Sequence, residues 1–164
     1  MSDVVLPETY PADPVDAYAL IRQEVAAVLT GERDVTANMA NTAAILGHGL
    51  RRINWVGFYR VLGDELVLGP FWGLPAFVRI ARGRGVCGTA WERAETLVVD
   101  DVRTFAGHIA CDARSLSEVV VPVPVDGRVR AVLDCDAPEV ARFGAAERAL
   151  LEDVARLVGE GCDW

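Results

Sequence analysis

Apolar residues recur every three or four positions at both ends of the chain, which predicts helices there. The first helix begins at Asp13, an N-cap residue followed by Pro14, and runs to about Leu29. A second helix covers about Asp34 to Leu46, and a last helix begins near Phe143. Residues 1–12 are rich in proline, lack this period and are interpreted as an N-terminal arm.

Between these helices the hydrophobic period changes to two, which is typical of strands. The predicted strands cover residues 53–62, 65–71, 77–81, 96–100, 118–125 and 128–136, with a short helix over 88–93. Asp126-Gly127 predicts a type I′ hairpin between the last two strands. Pro122 and Pro124 lack N–H donors, so one side of their strand should face an edge or a bulge.

This order of elements predicts a single α+β domain over residues 1–164. Its sheet should have about six mostly antiparallel strands, with the N-terminal and C-terminal helices packed on one face. The length allows a sizeable core, and a 52% hydrophobic content is typical of globular proteins.

Composition also limits the partners of the chain. The net charge of −8 disfavours nucleic acid and anionic membranes. No apolar run approaches the ~20 residues that a membrane helix needs. The first residues lack the basic and apolar regions of a signal peptide, so we expect a cytoplasmic protein.

Four cysteines are the first candidates for chemistry, and none forms a Cys-x-x-Cys pair. Cys111 lies in a polar loop that enters the strand at Glu118, although a free cysteine taken alone is usually buried and inert. Cys87 lies in a glycine-rich loop, where a redox role and a small packing residue are about equally favoured. Cys135 is expected in the core, and Cys162, near the C-terminus, is expected to be exposed.

Three acidic residues form the second group of candidates. Asp134 and Asp136 are two residues apart on a strand, so both side chains point to one face, where their repulsion raises the pKa of one of them. The hairpin register places Glu118 near Cys135, so Glu118 approaches the two aspartates only if its side chain takes their face. Three exposed acids at the sheet rim are the alternative, which the apolar flanking residues disfavour.

Two aromatic residues, Trp55 and Tyr59, share one face of the first strand. Aromatic residues at such positions are usually part of the core. They could also form the wall of a small pocket, since each carries one polar group. The histidines, His48 and His108, lack the spacing of a zinc site, so no metal is expected.

Several motifs together resemble one enzyme family, the free methionine-(R)-sulfoxide reductases, which are stand-alone GAF-domain enzymes. The motifs are Asn54-Trp-Val-Gly-Phe-Tyr59, Leu68-Gly-Pro-Phe71, Gly85-Val-Cys-Gly-Thr-Ala90, Gly107-His-Ile-Ala-Cys-Asp112, Ser117-Glu118 and Leu133-Asp-Cys-Asp136. The similarity extends from about Val35 to the C-terminal helix, and the motif that contains Cys111 is specific to the family. The resemblance implies a GAF-like fold.

The resemblance also implies a redox activity in oxidative stress repair, the reduction of free L-methionine-(R)-S-oxide to methionine. Cys111 would be the nucleophile that becomes a sulfenic acid, and Cys87 would resolve it as a disulfide. Thioredoxin would reduce the disulfide, and no cofactor would be required. Glu118, Asp134 and Asp136 would bind the ammonium group and the sulfoxide oxygen, one of them as a neutral acid, with Glu118 and Asp136 counted as catalytic. Trp55 and Tyr59 would enclose the methyl-sulfoxide group.

The chain departs from the family pattern at two positions. Phe77 stands where the family often has a further cysteine, and Cys135 stands where an apolar residue is usual. Two other functions remain as alternatives: a non-catalytic GAF sensor that binds a small ligand, and a dimerisation module formed by the terminal helices. A homodimer is compatible with either the enzyme or the module.

Overall fold

The computed structural model describes residues 9–109 and 113–164, which form four α-helices and six strands. The helices are α1 (Pro14–Val28), α2 (Val35–Gly49), α3 (Gly85–Arg93) and α4 (Ala145–Gly161). The strands are β1 (Trp55–Leu62), β2 (Glu65–Gly73), β3 (Arg79–Ala81), β4 (Leu97–Val99), β5 (Ser117–Val125) and β6 (Arg128–Ala137). A short 3-10 helix covers Val102–Thr104.

The six strands form one antiparallel sheet in the order β3-β2-β1-β6-β5-β4. β1 and β6, which are distant in sequence, are neighbours at its centre. The predicted α+β architecture is therefore confirmed. No helix within the described residues is long and apolar enough to span a membrane.

The two faces of the sheet belong to separate apolar clusters. On one face, Val56, Phe58 and Leu133 pack with residues of α1, α2 and α4, which together form the larger part of the core. On the other face, Trp55 and Tyr59 pack with residues of α3. Alternate side chains of the same strands thus enter two different environments, as the period of two requires.

The first two helices begin where the sequence predicts. Asp13 caps α1 by accepting a hydrogen bond from the Val15 N–H, and Asp34 caps α2 in the same way. α2 runs three residues beyond its predicted end at Leu46, to Gly49. Gly47 does not end the helix. It allows the Trp72 ring to pack directly on the helix backbone, because a Cβ atom at this position would lie 2.4 Å from the ring.

The β5–β6 hairpin has the predicted type I′ turn, with Asp126 and Gly127 at φ 48° and 73°. Its register then changes at a β-bulge beside Pro124, where β6 contributes one additional residue. Glu118 consequently pairs with Asp136, and the predicted pairing with Cys135 was wrong by one residue. Val120 is the last residue of β5 that pairs with β4. Beyond it, the side of β5 that carries Pro122 and Pro124 lies at the edge of the sheet, as predicted.

Candidate active site

Three buried carboxyl groups lie on the α3 side of the sheet. Glu118, Asp134 and Asp136 expose 2%, 0% and 1% of their surfaces, so the alternative of exposed rim acids was wrong. Strand parity orients Asp134 and Asp136 to one face, and the bulge turns Glu118 to the same face. The structure therefore brings together the three acids that the sequence predicted as a group.

The charge state of Glu118 follows from this environment. Burial raises the pKa of Glu118 well above its ordinary value, and the negative charge of Asp136 raises it further. A hydrogen bond with Asp134 acts in the opposite direction and does not cancel these effects. Glu118 is thus suited to hold a proton that it can donate to a bound group.

His108 is a member of the site that sequence reasoning left without a role. Its Nε2 atom lies 3.2 Å from Oε2 of Glu118. Burial lowers the pKa of His108, which favours the neutral imidazole. Its place three residues before Cys111 in the Gly-His-Ile-Ala-Cys-Asp motif is the signal that could have identified it.

Cys87 lies in the first turn of α3, buried on the same side of the sheet. Its Sγ atom is 4.0 Å from Oε1 of Glu118. The donor atoms of Cys87, Glu118 and Asp134 lie within 4.8 Å of one another, so these residues could together hold a divalent cation. Cys87 therefore lies beside the acids. This position favours a chemical role over a role in packing alone.

Cys111, the predicted nucleophile, lies outside the described residues, as do its two neighbours, Ala110 and Asp112. The chain on each side of this segment is fixed to the sheet. His108 contacts Glu118 on one side, and on the other Ser115 accepts a hydrogen bond of 3.1 Å from the Asn54 side chain. His108 therefore lies beside β5, and Ser115 lies beside Asn54, which directly precedes β1.

Aromatic rings from neighbouring strands line the apolar part of this face. Trp55 and Tyr59 are fully buried, with ring centroids 6.0 Å apart, and Phe71 stacks on Trp55 at 5.4 Å. The indole N–H donates to the Leu74 carbonyl, and the Tyr59 hydroxyl donates to the Phe77 carbonyl. Trp55 therefore lies beside Asp136, with which it pairs across the sheet, whereas Tyr59 pairs with Val132 and stacks on Trp55 farther along β1.

The other two described cysteines lie on the opposite face. Cys135 is buried in the helix-side core as predicted, where burial raises its pKa and the neighbouring aspartates raise it further. Cys162 was expected to be exposed, but only 4% of its surface is accessible. The C-terminus folds back on α2, where the Asn38 amide lies 3.5 Å from the Cys162 sulfur.

The comparisons with known proteins agree with this geometry. The GAF domain family matches residues 13–161. The free methionine-R-sulfoxide reductase of Escherichia coli is 47% identical over 141 residues, which cover 85% of this chain and 86% of that protein. The chain belongs to the free methionine-R-sulfoxide reductase family.

Two further relatives extend the family match. The Saccharomyces cerevisiae reductase of the same name is 38% identical over 140 residues, covering 80% of this chain and 78% of that protein. The structure of the Neisseria meningitidis reductase with its substrate superposes with a TM-score of 0.90 at 40% identity, covering 95% of this chain and 94% of that one. The fold and the family are thus supported by independent comparisons.

Phe77 is one of the two positions at which the sequence of this reductase family member is expected to depart from the family pattern. It is 56% exposed, and its carbonyl accepts the Tyr59 hydrogen bond. The backbone function of this position does not require a thiol. Among the described cysteines, Cys87 alone lies on the face that carries the acids.

Proposed function

We propose that this protein reduces free L-methionine-(R)-S-oxide to L-methionine, with Cys111 as the nucleophile. The observation that carries the proposal is the buried group of Glu118, Asp134 and Asp136 beside stacked Trp55 and Tyr59. A substrate with an ammonium group, a polar sulfoxide and a short apolar chain matches that combination. The family membership supports the same reaction.

The acids account for the preference for a free amino acid. Three carboxyl groups in one buried site are costly without a cation, because burial disfavours their charged forms. An ammonium group offsets part of this charge. Trp55 and Tyr59 provide the apolar surface for the methyl group at the other end of the substrate.

Glu118 supplies the proton for the chemical step. The Cys111 thiolate attacks the sulfoxide sulfur, and the oxygen takes the proton from Glu118. The oxygen passes to Cys111 as a sulfenic acid and methionine leaves, so Cys111 is oxidised by two electrons and the substrate sulfur is reduced by two. Asp134 and Asp136 hold the ammonium group, and Asp136 also keeps Glu118 protonated by its charge.

Cys87 then resolves the sulfenic acid. Its sulfur attacks Cys111, the disulfide forms, and the sulfenic hydroxyl leaves as water with the proton of Cys87. The position of Cys87 beside Glu118 supports this role, whereas Cys135 and Cys162 lie across the sheet. The dithiol of thioredoxin reduces the disulfide, and the cycle requires no bound cofactor.

The decisive experiment measures methionine release in a single turnover. Cys111→Ser should remain folded and release none, because an unactivated hydroxyl is a weak nucleophile. Cys87→Ser should release one methionine per site and then stall with thioredoxin. Cys162→Ser, which changes a buried thiol on the opposite face, is the matched control and should turn over normally. Release by Cys111→Ser at the wild-type rate would end the nucleophile assignment.

A substrate comparison tests the acid-lined pocket. N-acetylation removes the ammonium charge and leaves a buried carboxylate without its counterion, at a cost of about 1–3 kcal/mol. The kcat/KM for the N-acetyl form should therefore be roughly tenfold to a hundredfold lower than for free L-methionine-(R)-S-oxide. Equal values would favour a peptide-repair enzyme. Binding of the free sulfoxide without any turnover would favour a sensor.

A further inference from the structure

The donor set of the acid site differs from what an ammonium group alone requires. A thiol sulfur from α3, a carboxylate from β5 and a carboxylate from β6 converge, with one atom from each of Cys87, Glu118 and Asp134 within 4.8 Å of the others. All three residues are buried. Carboxylate oxygens suffice for an ammonium group, whereas a sulfur next to two carboxylates is a mixed donor set typical of transition-metal sites.

A second observation concerns the contact between His108 and Glu118. Nε2 of His108 and Oε2 of Glu118 face each other at 3.2 Å. The contact falls outside hydrogen-bond geometry, so both buried atoms lack a hydrogen-bond partner within the part of the chain described. Glu118 thus has at least three polar neighbours: Oε1 lies 4.0 Å from the Cys87 sulfur, Oε2 lies 3.2 Å from His108, and a hydrogen bond joins the carboxyl group to Asp134.

This arrangement resembles the outer contacts of a metal centre. A carboxylate that binds a metal commonly uses its second oxygen for a neighbouring polar group, which fixes its orientation. The His108 ring lies at that second oxygen, at a distance of 3.2 Å, so a small rotation of the ring would form such a bond when the carboxylate binds a metal.

We propose that the reduced protein binds one zinc ion through Cys87, Glu118 and Asp134, with His108 positioning Glu118. Sulfur and carboxylate ligands suit Zn²⁺, while Mg²⁺ and Ca²⁺ prefer oxygen ligands alone. Binding replaces the proton of the Cys87 thiol and any proton on Glu118, and both protons pass to solvent. Asp136, on the same face, adds negative charge that favours a cation.

The ion would take Asp134, which also holds the substrate's ammonium group, and Glu118, which donates the proton, so zinc and substrate could not bind together. Zinc is therefore a reversible inhibitor that competes with the sulfoxide, and disulfide formation at Cys87 releases it. This consequence rests on the proposed function, whereas zinc binding itself does not and is measured without turnover. The two can therefore fail separately.

The binding experiment uses the full chain after reduction and removal of the reductant. Competition with a chromophoric chelator should give one Zn²⁺ per chain, and Co²⁺ should give a sulfur-to-cobalt charge-transfer band. Cys111→Ser should keep both signals, because Cys111 is not among the ligands. Cys87→Ser should lose the charge-transfer band, and Glu118→Gln should bind more weakly by over a hundredfold.

Two further variants complete the design. His108→Ala should weaken zinc binding roughly tenfold to a hundredfold, as expected for an outer contact. Cys135→Ala removes a thiol between the two aspartates in sequence, but on the other face, and should bind like the wild type. Loss of the band in Cys111→Ser with its retention in Cys87→Ser would overturn the proposal. Absence of zinc binding in the reduced wild type would overturn it as well.

The inhibition experiment then measures initial rates with thioredoxin at several zinc concentrations. The apparent KM for free methionine-R-sulfoxide should rise with zinc while kcat stays constant, and a chelator should restore the rate. Inhibition that sulfoxide does not relieve would place the ion elsewhere and would contradict the competitive site. An enzyme without sulfoxide reductase activity that still binds zinc would refute the proposed function and leave this inference standing.

Discussion

Two buried polar clusters differ in how their charges are balanced. The Arg142 cluster, formed by Tyr18, Arg142 and Glu147, pairs one cation with one anion at 2.8 Å, and Tyr18 donates to the same carboxylate. The acid cluster, formed by Glu118, Asp134 and Asp136 with His108 and Cys87, brings three buried carboxyl groups together.

The difference appears in the two glutamates. Burial alone would raise the pKa of Glu147, but hydrogen bonds from Tyr18, Arg142 and the Gly144 backbone lower it to about 2. The pKa of Glu118 instead rises through burial and the nearby Asp136 charge. Glu147 is therefore held as the charged partner of a cation, whereas Glu118 lies in an environment that favours a bound proton.

The largest expected effect is on catalysis. Glu118→Gln keeps the shape of the side chain but cannot donate an acidic proton, so kcat/KM should fall roughly 10²- to 10⁴-fold. Steady-state rates with free methionine-R-sulfoxide measure this, and circular dichroism checks the fold. The matched variant Glu147→Gln should keep its activity. Equal losses in both variants would remove the distinction between the clusters.

The next effect is on stability. Arg142→Met leaves the partly buried Glu147 carboxylate without its cation, while Tyr18 and the Gly144 N–H still donate to it. The free energy of unfolding should therefore fall by about 1–3 kcal/mol. Denaturant unfolding measures it. Arg148→Met, which breaks the exposed pair with Glu152, is the control and should cost about 0–1 kcal/mol. A cost as small as the control would show that the Arg142 pair contributes nothing.

The pH dependence should have opposite signs in the two clusters. Because the pKa of Glu118 is raised, its contribution to stability is complete at pH values below the ordinary pKa of 4.5 and is lost as the pH rises through the raised pKa. The lowered pKa of Glu147 stabilises the fold above 4.5, and this is lost as the pH falls towards about 2. Unfolding curves measured from about pH 2 to about pH 8 give the two slopes.

Variants separate these two slopes. Glu118→Gln should remove the decline in stability with rising pH, by up to about 1.4 kcal/mol per pH unit. Glu147→Gln should instead remove the loss of stability in acid. A wild-type profile that Glu118→Gln leaves unchanged would contradict a protonated Glu118 in the folded protein.

The smallest effect concerns two tyrosine hydroxyls. Tyr59→Phe removes the bond to the Phe77 carbonyl, at a cost of about 0.5–1.5 kcal/mol, and should raise KM about twofold to tenfold because the pocket wall loosens. Tyr18→Phe removes a hydroxyl from the Arg142 cluster and should lower stability with KM unchanged. A KM increase of the same size in Tyr18→Phe would argue against a local pocket effect.

Local sequence patterns determined much of this protein. Caps at Asp13 and Asp34 defined the helix starts, and Asp126-Gly127 defined the hairpin turn. Strand parity alone placed Asp134 and Asp136 together and Cys135 opposite them. Each of these features depends on residues close in sequence, whose conformational preferences act independently of the rest of the chain.

Only the tertiary structure decided the burial of Cys162 and the contact between His108 and Glu118. The first depends on the C-terminus meeting Asn38, which is 124 residues away from Cys162 in sequence. The second depends on the loop before β5 folding back on that strand. The hydrophobic period of a short segment does not show which other segments it will contact. The sequence motif could point to His108, but it could not supply the distance to Glu118.

The face taken by Glu118 is the clearest case. Counting outward from the hairpin turn placed Glu118 beside Cys135, and one additional residue at the bulge moved it beside Asp136. A pattern with a period of two cannot show a one-residue insertion, because every position still alternates correctly within its own strand. The bulge forms because the paired and packed strands gain more free energy across the whole sheet than the interrupted ladder loses locally.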